Sequence, residues 1–340
     1  MDSVRPSRPA AAPPRTAPVA AADARRLAGI GLWLVLLPLA GWAGLRLAGA
    51  EPKFRWSQAV SFTPYAAAAS LVPLLAAVGL RRRATAVAAF AVTASLAAAV
   101  LPRALPDGNP PADGPSLRVL SANLYHGSVP AGALMDALRR HRPDVLVMVE
   151  FTPETAAALD RAGVARLLPY RVSAPEPDGQ GSAVYSRLPL RADGPPLPGE
   201  GPRQIPALLT LPDGREVSVV AVHACAPSGG WRSGCWASSI RALPPAGGRL
   251  RVLAGDFNST LDHAVLRELI ATGYRDAADV TGKGLAMTWP YLDQPWFFPK
   301  VAIDHLLADS RIAIRSFATS ALPGTDHRAV VTEITLPAAS

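Results

Sequence analysis

The stretch RVLAGDFNST, residues 251–260, decides how the rest of the chain is read. Val252, Leu253 and Ala254 form an apolar run of the kind that becomes a buried strand, and Gly255 breaks it. Asp256 and Asn258 come next. With a two-residue side-chain period they share a face, while Phe257 points back toward the core. A carboxylate and an amide therefore stand together at the mouth of a hydrophobic layer, where an unpaired polar group is costly. Taken alone, such a pair reads as a turn or a helix cap.

The pattern repeats along the chain, and repetition changes that reading. "LRVLSANLYHG" delivers Asn123. "GALMDALRRHRPDVLVMVEFT" reads as a helix, a turn at Arg142-Pro143 and a strand over 145–149 that ends at Glu150. "GSAVYSR" is a short strand carrying Tyr185, and "REVSVVAVHACAP" ends at His223. "KVAIDHLLADS" carries Asp304, and "PGTDHRAVVTEITLP" carries Asp326 and His327 ahead of a closing strand. Short apolar strands that end in Asn, Glu, His and Asp supply the parts of a metal-assisted phosphoryl-transfer site.

In this order and context "SANLYHG", "VMVE", "GDFN", "IDHLL" and "TDHRAVV" resemble the endonuclease/exonuclease/phosphatase superfamily, the fold of DNase I and the abasic-site endonucleases. The resemblance spans about residues 117–336. It implies a four-layered α/β sandwich, two packed and mainly antiparallel sheets flanked by helices. It also implies that Asn123, Glu150 and Asp326 hold a divalent cation, Mg²⁺ with Mn²⁺ as the alternative, since hard ions take oxygen ligands. Asp256 and Asn258 would orient the attacking water and contact phosphoryl oxygens. His327, held by Asp304, would contact phosphate or move a proton, and His223 would stabilise charge in the transition state. Such chemistry is mostly positioning and electrostatics.

The front third has a different character. Three apolar stretches, 27–50, 62–80 and 84–101, each approach the ~20 residues that span a ~30 Å hydrocarbon layer. The second and third are Ala-rich and would also serve as core helices. Three in a row beside arginine clusters favour membrane spans. Arg5, Arg8, Arg15, Arg25 and Arg26 precede the first, and Arg81–Arg83 separate the second from the third. The positive-inside rule puts both clusters in the cytoplasm and everything after residue 101 outside. The expected organisation is a disordered cytoplasmic tail (1–26), three transmembrane helices (27–101), a Pro/Gly linker (102–115) and a catalytic domain (116–340). The expected location is the cell membrane, multi-pass, with the domain extracytoplasmic.

Charge and cysteines agree with that division. Residues 1–114 hold 12 Lys+Arg against 5 Asp+Glu, and residues 115–340 hold 22 against 21. A nucleic-acid binder shows its basic footprint on the binding domain, and this domain has none, so nucleic acid is a disfavoured partner. Cys225 and Cys235, the only cysteines, read as a disulfide outside the cytoplasm, with two free thiols as the alternative. The aromatic stretch "MTWPYLDQPWFFPK" before Asp304 is either packing, an apolar wall for a lipid chain or an interfacial contact.

Three spans ahead of an exported domain of this type also resemble the actinobacterial membrane phosphatases typified by the teicoplanin-resistance protein VanJ. That resemblance implies a lipid-linked substrate, a polyprenyl pyrophosphate of cell-wall synthesis. An exported nuclease or sphingomyelinase-like phosphodiesterase, and a non-catalytic surface module, are the competing classes. The full set of metal and acid/base positions argues against the last.

Overall fold

The computed structural model describes residues 17–51, 54–199, 201–229 and 232–338. Its first part is helical: α1 (Ala17–Ala48), α2 (Phe54–Ala59), α3 (Thr63–Gly79) and α4 (Arg83–Val100), with a 3₁₀ turn at Val60–Phe62 joining α2 to α3. Ala- and Leu-rich sequence favours helix, and a helix satisfies its own backbone where no water is present. Three segments, Asp23–Ala48, Arg55–Gly79 and Arg83–Ala104, are long and apolar enough to cross a membrane. The Arg82 guanidinium bonds to the carbonyl of Arg25, so both basic clusters share one end of this bundle. Residues 17–26 are helical, which corrects the expectation of a disordered tail reaching residue 26; residues 1–16 lie outside the described residues.

Two six-stranded sheets follow. The first is ordered β11-β12-β1-β2-β4-β3 and the second β5-β6-β7-β8-β10-β9. In the first sheet stand β1 (Ser116–Asn123), β2 (Val145–Val149), β3 (Tyr170–Ala174), β4 (Ser182–Ser186), β11 (Ala313–Ala321) and β12 (Arg328–Thr335). In the second stand β5 (Leu190–Ala192), β6 (Ile205–Thr210), β7 (Glu216–His223), β8 (Arg251–Asp256), β9 (Tyr274–Asp276) and β10 (Asp304–Asp309). Each sheet has one parallel pair at its centre, β1–β2 and β7–β8, and antiparallel neighbours elsewhere.

The layers follow from strand alternation. Val119, Val145, Val147 and Val184 face Ala207, Val219, Ala221, Val252 and Leu306 in the core between the sheets. Leu120, Leu146 and Met148 point the other way, under α5 (Ala131–His141) and α6 (Pro153–Arg161). Val220, Val222 and Leu253 do the same under α7 (Arg232–Arg241) and α8 (Ala264–Ala271), and a short α9 (Ala277–Val280) closes one corner. The expected four-layered α/β sandwich is the observed one.

The linker differs from expectation. Although Pro and Gly are frequent over 102–115, the segment is docked along the domain. Pro106 bridges Thr281, the Asn109 amide bonds Ile314 at both its donor and its acceptor, and Gly114 N–H donates to Leu336 C=O. Irregular backbone without its own ladder is held here by the domain's unpaired groups. At its start Arg103 is buried and grips Asp262 through two bonds of 2.8 and 2.6 Å, while Arg46 of α1 reaches the same carboxylate at 2.8 Å. Burial pushes Asp262 up, but Arg103 and Arg46 outweigh it and hold the carboxyl below its ordinary range. Asp262→Ala is expected to cost about 3–5 kcal/mol, because it strands a buried guanidinium. Thermal unfolding of the full-length protein in detergent checks this, and a shift corresponding to less than about 1 kcal/mol would contradict it.

Candidate active site

Strand direction gathers the site. Parallel partners bring their C-terminal ends to the same edge: Asn123 pairs with Val149, one residue before Glu150, and His223 pairs with Asp256. Antiparallel partners bring their N-terminal ends there. Thus β10 begins at Asp304, opposite Asp256, and β12 begins just after Asp326 and His327, beside the end of β1. Eight residues scattered over two hundred positions converge at one rim. Local backbone re-aims two of them: Glu150 and Asn258 adopt left-handed conformations (φ 54° and 47°), which non-glycine residues rarely take without a functional or packing reason.

Hydrogen bonds join Asn123, Glu150 and Asp256, and His327 to Asp304, while His223 and Asp326 stand close by without bonding to the others. Asn123 Nδ2 donates to Glu150 Oε1 (3.0 Å) and to Asp256 Oδ2 (3.1 Å), while its Oδ1 accepts from Tyr125 N–H (2.9 Å). Glu150 Oε2 accepts from His126 N–H at 2.7 Å. Asp256 Oδ1 accepts from Asn258 N–H at 2.8 Å, and Asn258 Nδ2 donates to Ala224 C=O at 2.9 Å. His327 Nδ1 meets Asp304 Oδ2 at 2.8 Å, and its Nε2 lies 3.8 Å from both Asp256 Oδ2 and Asp326 Oδ1. His223 Nε2 stands 3.8 Å from Glu150 Oε1.

This crowding sets the protonation states. Burial alone would lower His327, but Asp304 and Asp256 outweigh it and hold the ring at about 10, so it is an imidazolium at neutral pH. Burial pushes Asp256 up to about 7, against the pull of His327. Burial drives His223 down to about 4 despite Glu150, so it is a neutral donor, not a second cation.

Two donor sets offer themselves to a cation. One ligand atom each from Asp256, Asp304 and His327 lie within 4.8 Å of one another. A protonated His327 repels a cation, however, and Asp304 is already occupied in orienting it. Glu150 and Asp326 are the better carboxylate pair: Asp326 Oδ1 is buried and accepts no hydrogen bond from the described residues, the environment a cation would satisfy. Asn123 joins this set only with its side-chain amide reversed, since its NH₂ now faces the carboxylates.

Asp256, Asn258, Glu150, His223, Asp326 and His327 line a cleft of about 520 Å³. Its far wall was not legible as a site in the sequence: Ser57, Gln58, Ser61 and Phe62, from α2 and the following turn. A second, more polar cleft of about 440 Å³ shares Glu150 and His223 and reaches Asp178, Gln180 and the Cys225–Cys235 disulfide. That pair is linked, with Cα atoms 5.8 Å apart. Opening its ten-residue loop by Cys235→Ser is expected to cost about 2–3 kcal/mol by loop entropy, read as a lower midpoint in denaturant; an unchanged midpoint would contradict it.

The aromatic stretch divides. Trp289 lines the cleft and its indole N–H donates to Asp326 Oδ2 at 2.7 Å. Tyr291 lies under Arg328, 4.9 Å from ring to guanidinium. Trp296 and Phe297 are 91% and 69% exposed on a loop, so they neither pack in the core nor form the wall beside Asp304. Val301 and Ile303 supply that wall. His305 of "IDHLL" was also missed. It faces two acceptors, Asp276 Oδ2 at 2.7 Å and Ser259 C=O at 2.8 Å, and so braces the loop after Asp256.

Comparison with known proteins agrees with this architecture. The sequence matches the Endonuclease/Exonuclease/phosphatase family over residues 120–327, more than half of the chain. Similar solved structures include an endonuclease/exonuclease/phosphatase from Beutenbergia cavernae, with 18% identity, TM-score 0.50, and 66% of this chain and 72% of that one covered. Humanized Danio rerio TDP2 gives 17% identity and TM-score 0.52, covering 65% and 99%. A family protein from Leptotrichia buccalis gives 13% and 0.50, covering 65% and 100%. At these identities the likeness is one of fold. No curated protein matches the chain.

Proposed function

The chain belongs to the endonuclease/exonuclease/phosphatase family, and from that premise we propose that it is a membrane-anchored, metal-dependent phosphohydrolase of the outer membrane surface whose substrate is a polyprenyl pyrophosphate of the undecaprenyl type. The observation that carries this reading is the two-faced cleft. One wall holds the acid, amide and histidine groups; the other holds Ser57, Gln58, Ser61 and Phe62 at the start of the second candidate span. Within the candidate span Arg55–Gly79, the 17 residues of α3 rise ~25 Å and the 3₁₀ turn Val60–Phe62 adds ~6 Å, together about the ~30 Å of a hydrocarbon layer. With Gly79 at one interface, Ser57–Val60 lie at headgroup depth, where a lipid presents its pyrophosphate, and Ser61 and Phe62 lie just beneath it. Orientation follows from the basic clusters at the opposite end.

Glu150 and Asp326, with Asn123, would hold the cation, Mg²⁺ before Mn²⁺ for an oxygen-only set. When bound it neutralises charge on the phosphoryl oxygens. Asp256 and Asn258 orient the water that attacks the terminal phosphorus, and a carboxylate poised near neutrality suits Asp256 to accept its proton. His327, fixed by Asp304, contacts the phosphate and supplies a proton to the bridging oxygen as the P–O bond breaks. His223 donates one neutral N–H to the developing charge. The products are inorganic phosphate and polyprenyl phosphate.

The test is hydrolysis by the full-length protein in detergent, with and without Mg²⁺, read as inorganic phosphate from farnesyl and undecaprenyl pyrophosphate, as strand cleavage of plasmid DNA, and as phosphocholine from a choline phosphodiester. The lipid pyrophosphates should show the highest kcat/KM. A higher value for DNA or for the diester replaces this reading with the exported nuclease or the phosphodiesterase. The near-neutral domain, 22 basic against 21 acidic residues, supports the lipid.

A further inference from the structure

Resting on that reading, we propose that the membrane anchor is part of the substrate site: Ser61 and Phe62, with Trp289, Val301 and Ile303, form a subsite for the first isoprenoid units of the lipid, and the loop 256–263 locks this wall in register with the catalytic groups.

Placement comes first. These five residues line the same cleft as Asp326 and His327. Phe62 is half-buried, packs 6.0 Å from Tyr65, and precedes the first residue of α3. A chain leaving the phosphate site across Phe62 therefore runs toward the face of a membrane span. Val301 and Ile303 offer apolar surface without hydrogen-bonding needs, which suits a prenyl chain and not a sugar or a base.

The lock is continuous with the chemistry. Asp256 and Asn258 begin the loop at the rim; Asp262 and His263 end it against the anchor. Asp262 takes Arg46 and Arg103. His263 Nδ1 accepts from Thr260 N–H at 2.8 Å, which leaves Nε2–H to donate to Ser57 C=O at 2.6 Å. Burial holds His263 below its ordinary value, in keeping with that neutral tautomer. Three further contacts spread the grip: Glu51 Oε1 accepts from Ala264 N–H (2.7 Å), Gln58 Nε2 donates to Pro227 C=O (2.9 Å), and Tyr65 OH bridges the Lys300 backbone (2.9 Å). A flexible tether would need none of these.

The full-length protein in phosphatidylglycerol nanodiscs tests the proposal by the ratio of kcat/KM for farnesyl pyrophosphate to that for methyl pyrophosphate. Phe62→Asp should lower the ratio about tenfold or more, because a carboxylate replaces apolar contact, and Phe62→Leu should restore most of it. A ratio within twofold of wild type in Phe62→Asp defeats the subsite while leaving the function intact. Wild-type protein inactive on every prenyl pyrophosphate defeats the function itself. Should Phe62→Asp fail to fold, a diazirine-bearing prenyl pyrophosphate on wild-type protein gives the same decision. Adducts on the peptide holding Ser61 and Phe62 support the subsite, and adducts confined to Trp296 and Phe297 refute it.

Discussion

His327→Ala is expected to lower kcat by ~10³-fold on whichever phosphate ester or pyrophosphate the enzyme turns over best. The ring is held as an imidazolium by Asp304 and Asp256: Asp304 fixes its Nδ1 at 2.8 Å, and Nε2 points between Asp256 and Asp326. Removing it deletes a positioned positive charge and a proton donor together, and leaves three carboxylates facing one another. Asp304→Asn keeps the ring but weakens its hold and its charge, so a smaller loss, roughly 10²-fold, should follow. The folded state should persist in both, because these groups stand at the rim and not among the Val and Leu layers. Steady-state kinetics with near-UV circular dichroism checks this; an Ala variant within tenfold of wild type would contradict the assigned role.

Chelation should have an effect as large. Treatment with EDTA is expected to abolish turnover, and Mg²⁺ should restore it. Glu150→Gln should lower activity by at least ~10²-fold at saturating Mg²⁺, since it removes one of two anionic ligands. Binding gives a second readout: titration with Mn²⁺ followed by its paramagnetic signal should weaken in Glu150→Gln and in Asp326→Asn. Full turnover in EDTA would sink the metal assignment. Retained Mn²⁺ affinity in both variants, lost instead in Asp304→Asn, would move the ion to the Asp256–Asp304–His327 group.

The sandwich was legible because strand identity and strand-end chemistry are local. Val145–Val149 is apolar on both faces, as a central strand must be, and Glu150 follows it directly. Gly255 does not break the strand as its residue type suggested: it sits inside β8 at φ 144°, where a would-be Cβ falls 1.9 Å from Val222 C=O, so only glycine fits between the paired strands. The far wall of the cleft was not legible, because Ser57 to Phe62 carry no catalytic residue types; only docking makes them part of a site. The docked linker escaped for a related reason: Pro and Gly report the absence of regular structure and are silent about packing. The Arg46–Asp262 pair escaped as well, because its two members lie 216 positions apart. Of the three readings of the aromatic stretch, the exposure of Trp296 and Phe297 removes packing and cleft wall for these two and leaves the interfacial contact, since neighbours in sequence to Val301 and Ile303 need not share their cavity.

The docked linker has a kinetic consequence. With no slack between the last candidate span and the first strand, a membrane-inserted anchor would hold the catalytic groups at one height above the bilayer, to sweep a plane and not a volume. On the proposed lipid substrate, the collision frequency would then be set by the lipid's mole fraction in the leaflet and by lateral diffusion. Adding inert phospholipid at constant bulk substrate should slow the enzyme, whereas diluting the whole suspension with buffer should leave the rate per enzyme unchanged. For such a substrate its effective Michaelis constant would be a surface density.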